Sequence, residues 1–135
     1  MLLDDKNLFS RDQAITATAN STDVIDLGVA GRASGNGLEP FVHVTQAFNN
    51  LTSLAIAVQS ATDSAFTTPI THQTVSRTLA SGGLALGQRI DLGELLEGTS
   101  RYVRLVYTVT GTAPTTGTVT SGLAAFGGQT LVGQA

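Results

Sequence analysis

At 135 residues the chain has the size of one domain and can bury a core without staples. It contains no cysteine, which excludes a disulfide framework, a thiolate metal site and a cysteine nucleophile. Charged residues make up 13% of it and the net charge is −3; its seven basic residues stand singly, so neither a nucleic-acid surface nor a polybasic membrane patch is expected.

Taken in chain order, the start Met1-Leu-Leu-Asp-Asp-Lys6 lacks the positive end and apolar centre of a signal peptide. Leu8-Phe9 and Gln13–Ala19 read as strand material, and Asn20–Asp23 as a turn. Val24–Leu27 is a short strand ended by Gly28. The glycine-rich stretch Gly31–Gly37 reads as a loop, which Pro40 closes while opening a strand over Phe41–Phe48. The loop lacks the Lys-Ser/Thr ending of a phosphate-binding loop. Asn49–Thr52 is a connection. Leu54, Ile56 and Val58 alternate with smaller residues, so Ser53–Ala61 is a half-buried strand. Ile70–Leu79 is a polar strand with Val75, Arg77 and Leu79 on one face, broken by Ser81-Gly-Gly83. Arg89–Leu92 is extended, and Asp91-Leu-Gly-Glu94 has capping-box spacing for one helical turn over Leu95-Leu96.

The longest alternation is Arg101-Tyr-Val-Arg-Leu-Val-Tyr-Thr-Val-Thr-Gly111. Val103, Leu105, Tyr107 and Val109 share the face assigned to the core, and Tyr102, Arg104 and Val106 share the other. Each core side chain can contribute about 1.5–3 kcal/mol as an upper limit. Arg101 lies at the strand's mouth, where its head can reach water. A last strand runs from Gly117 to Phe126. Eight or nine short strands with turns between them imply an all-β single-domain sandwich or barrel filling residues 1–135.

Catalytic spacings are missing. His43 and His72 lie in separate strands, with no His-x-x-x-His or Gly-x-Ser-x-Gly pattern. Asp91, Glu94 and Glu97 form the densest acidic group, and a solvated, capping turn explains it. Asn20-Ser-Thr22 and Asn50-Leu-Thr52 match the glycosylation sequon, as a threonine-rich chain does by chance. No cofactor or metal is expected. Few charges and many neutral polar side chains make a surface that desolvates at low cost, compatible with an interface.

Arg101–Thr112, continued through Gly117–Leu123, resembles the C-terminal half of capsid cement (decoration) proteins of tailed phages, the Bordetella-phage type above all. Met1–Ser10, Gln13–Ala19, Ser21–Gly28 and Val58–Asp63 with Phe66 resemble other parts of that family in collinear order. The resemblance implies a jelly roll of about eight strands and a non-enzymatic virion protein on the outer capsid surface. Its implied partners are the major capsid protein and further copies of itself, as a homodimer or homotrimer. Candidate contacts are Leu2 and Leu3 in an extended arm over residues 1–7, Arg32 and Asn36 in the glycine-rich loop, and Tyr102 and Arg104 on the outward face of the long strand. A carbohydrate-binding or host-attachment sandwich is the alternative, with Tyr102 as the stacking ring. A hydrolase using Asp91 or Glu94 with a histidine is the third reading.

Overall fold

The computed structural model describes residues 8–26, 38–93 and 100–125. These residues contain nine strands and no helix: β1 (Leu8–Ala14), β2 (Ala19–Asn20), β3 (Ile25–Asp26), β4 (Leu38–Gln46), β5 (Leu51–Ala61), β6 (Ile70–Thr78), β7 (Arg89–Asp91), β8 (Tyr102–Gly111) and β9 (Thr118–Ala125). One sheet has the order β1-β9-β4-β7. The other has the order β2-β8-β5-β6, with β3 also on β8. Every pairing is antiparallel.

β2 meets β8 at Tyr107 and Val106, and β3 meets it at Val103 and Tyr102, so the two act as one interrupted strand. Counted that way, two four-stranded sheets remain, in the double Greek-key order of a jelly roll. The expected all-β jelly-roll sandwich is the observed fold.

Alternation builds the core. Leu54, Ile56 and Val58 of β5 and Val103, Leu105 and Tyr107 of β8 point inward and are fully buried. They form one cluster with Phe9, Val42, Val44, Ile90, Val119 and Leu123 from the facing sheet. Val109, also assigned to the core, packs at its margin.

The observed strands depart from the sequence expectation at the β1–β2 corner and at Pro40. The apparent strand Gln13–Ala19 is broken: β1 stops at Ala14, Ile15 turns inward as a buried corner with its N–H on the Gly117 carbonyl (3.1 Å), and the chain crosses to the other sheet as β2. Asn20 therefore belongs to a strand and not to a turn. Pro40 is the third residue of β4, not the first; its carbonyl accepts from Leu92 N–H just beyond the end of β7, so its missing donor faces no continuing ladder. The capping-box turn falls on residues 94–99, outside the described residues.

Candidate functional site

Of the six candidate contacts, Leu2, Leu3, Arg32 and Asn36 lie outside the described residues. Tyr102 and Arg104 lie two residues apart on β8, on the sheet face turned away from the core. Their register partners are Ala61 and Gln59 on β5.

Arg104 is held from two directions. Its Nε and Nη2 both donate to Gln59 Oε1, at 3.1 and 2.9 Å, while Gln59 Nε2 donates to Thr71 Oγ1 of β6 at 3.2 Å. Its guanidinium carbon sits 4.2 Å from the centre of the Phe66 ring. Phe66 belongs to the β5–β6 connection, is buried, and yet stands outside the main core cluster. Its φ of 53° is left-handed, a costly conformation for a bulky residue. Asp63 fixes that turn. Its carbonyl accepts from Phe66 N–H (3.1 Å), and its carboxylate accepts from the Thr67 hydroxyl (2.7 Å) and the Thr67 N–H (3.3 Å). The Thr67 hydroxyl holds the Asp63 carboxyl below its ordinary range.

Arg101 and Arg104 differ in charge compensation. Arg101 makes a bidentate pair with Asp26 of β3 (2.8 and 3.0 Å), and this contact raises its pKa. Arg104 has no carboxylate partner among the described residues, and burial moves its pKa downward. The Arg101 guanidinium also lies 5.0 Å from the centre of the Tyr102 ring. Tyr102 is half-buried and capped on one face, not the open outward ring that its alternation implies.

Beyond Arg104 the same face is small and neutral. It carries Ala55 and Ala57 of β5, Val106 and Thr108 of β8, and Thr74 and Ser76 of β6, all joined in register. Gln59 and the Phe66 ring are not among the contacts expected from the sequence. A glutamine in a strand carries no signal of its own, and the seating of Phe66 against Arg104 joins residues 38 apart in the chain. Leu86, 67% exposed on the β6–β7 connection, was missed too.

Among the described residues the hydrolase reading finds no assembled site. His43 stands on β4 opposite Thr120 and Arg89, in the first sheet. His72 lies in β6 of the second sheet, with Nε2 2.5 Å from Ser60 Oγ. Asp91 is bound by Arg89 at 2.7 Å, and Glu94 and Glu97 lie outside the described residues. Among the described residues no three His, Asp or Glu side chains converge.

Fold and face together define a jelly-roll protein with a neutral outer sheet surface and one clamped guanidinium at its end. The chain belongs to the Bbp16 family, whose model matches residues 9–123. That family is associated with bacteriophages. No curated protein matches the chain.

Proposed function

We propose that the protein is a non-enzymatic component of a phage virion that binds the outer surface of the assembled capsid and clamps neighbouring major capsid subunits together. The observation that carries this reading is membership of the Bbp16 family across nearly the whole jelly roll. The neutral outer face of the second sheet supports it, because small uncharged side chains lose little hydration when covered. The partners are the major capsid protein and further copies of this chain, with no nucleic acid or membrane involved. As a homodimer or homotrimer the protein would bridge several subunits, and weak single contacts would then gain avidity of ~10²–10⁴.

The test is sedimentation of purified protein with mature heads that lack it. Saturable binding at a fixed ratio to capsid subunits is expected. Protein that remains in the supernatant at micromolar concentrations would end the reading. A glycan-binding role fares less well, since Arg101 already occupies one face of the only ring offered for stacking, Tyr102.

A further inference from the structure

Arg104 is constrained beyond the needs of the fold. A surface arginine of a β-strand ordinarily keeps its head mobile in water. Here a strained aromatic residue lies against the guanidinium plane, an Asx-type turn holds that residue, and a glutamine fixes the fork from the neighbouring strand. The rotamer entropy of Arg104 is lost in the free protein, so a ligand would not meet that cost. Two of its five N–H groups are spent on Gln59, both on one acceptor, and the other three meet no acceptor among the described residues. No carboxylate among the described residues pairs with it, and it stands at the end of a face otherwise made of alanine, valine, threonine and serine. Arg101, three residues before Arg104 in the chain, shows the contrast: its fork is already filled by Asp26.

We infer that Arg104, pre-positioned by Phe66 and Gln59, is an anchor that receives an aspartate or glutamate side chain of the capsid shell when the outer face of the β2-β8-β5-β6 sheet docks. The inference rests on the capsid-binding reading above. Charge complementarity selects the partner: a planar fork with free N–H groups fits a carboxylate in two-point geometry, and a neutral surround leaves that pair as the main polar contact. Tyr102 stands beside it on the same face. An aromatic and an arginine at the edge of a small-residue surface have the composition of binding hot spots.

The experiment uses the full chain and heads lacking it, with binding measured by quantitative sedimentation. Arg104→Lys keeps the charge and removes the planar fork; Arg104→Gln removes both. Each is expected to weaken head binding at least tenfold (about tenfold per lost charge-assisted bond pair) with an unchanged oligomer mass. Arg77→Lys, at a position that pairs with the inward-facing Leu54, is the control and binds as the parent does. If Arg104→Gln does not fold, Arg104→Lys carries the test. Parent and Arg104→Lys binding equally would overturn the anchor and leave capsid binding standing. A parent that does not bind heads would overturn both. Loss of oligomer mass in the Arg104 variants would place the carboxylate on a second copy of this chain, which also overturns the inference.

Discussion

At the scale of single residues, the core contains a polar chain whose direction can be worked out. Ser10 Oγ lies 2.6 Å from Gln13 Oε1, which only accepts, so the Ser10 hydroxyl donates there. It must then accept from Tyr107 OH at 2.8 Å, and Tyr107 in turn accepts from Ser121 Oγ at 2.7 Å. Gln13 closes the system by taking Thr22 N–H and donating to the Asn20 carbonyl. The Tyr107 hydroxyl thus joins β8 to β1 and β9 across the sandwich. Burial pushes its pKa up, against the smaller opposite effect of the two serines. Tyr107→Phe would leave two buried serine hydroxyls short of a partner and is expected to cost about 1–3 kcal/mol, read as a lower urea midpoint with unchanged slope. Alternation alone assigns Tyr107 to the core. Its partners were not legible, because nothing in strand periodicity relates residue 10 to residue 107.

His72 gives a second residue-scale prediction. Partial burial beside Ser60 lowers its pKa from 6.5. The unfolded chain therefore takes up a proton at a higher pH than the folded one. The stabilisation is complete above pH 6.5, and it declines as pH falls through that value toward the lower folded pKa. His72→Gln is expected to flatten the decline in urea midpoint between pH 7.5 and pH 5.5. An equal slope in both proteins would refute it.

At the scale of elements, legibility followed the distance over which a pattern acts. β5 and β8 were readable because both alternate over many residues and both bury one face. The break between β1 and β2 was not, because Ala, Ile and Thr alternate straight through the corner where Ile15 leaves the sheet. β1 itself is irregular, with two register shifts and a φ of 46° at Asp12. Such bulges twist an edge away from further pairing. The β5–β6 connection has no periodic pattern to read; its role in seating Phe66 depends on bonds between Asp63 and Thr67. Asp63→Ala removes those bonds. Strain at Phe66 is then free to relax, and Arg104 loses its aromatic support. Weaker head binding with only a small change in thermal midpoint is expected, since Asp63 is half-buried at the surface and its bonds stay within one turn. Gly111 makes the opposite case. It ends β8 at a φ of 93°, and a Cβ there would lie 2.8 Å from the Thr52 backbone nitrogen. Gly111→Ala is expected to lower the thermal midpoint and leave the Arg104 face intact, which separates loss of stability from loss of the anchor.

At the scale of the molecule, the class was legible and the order of strands was not. Counting short alternating runs gives an all-β sandwich. Which strand lies beside which depends on contacts such as Leu8 with Gly122, whose separation along the chain leaves no local trace. The resemblance supplied the jelly roll instead. That topology bears directly on bracing. A rigid sandwich bound at several points can stabilise a shell only if it binds the mature arrangement better than any other, and linkage makes the effect mutual. Binding at free-site concentrations one hundred times Kd contributes about 2.7 kcal/mol to the bound protein, which corresponds to roughly 10 °C in its unfolding temperature. If binding is confined to the intact shell, heads held at free protein one hundred times Kd gain a similar amount per occupied site. Calorimetry of decorated and bare heads is therefore expected to show both transitions displaced upward, the protein's own and the rupture of the shell. An Arg104→Lys variant is expected to reduce both displacements together. Heads that rupture at the same temperature with and without saturating protein would show attachment to a single subunit type without bracing, and the clamp would have to be given up.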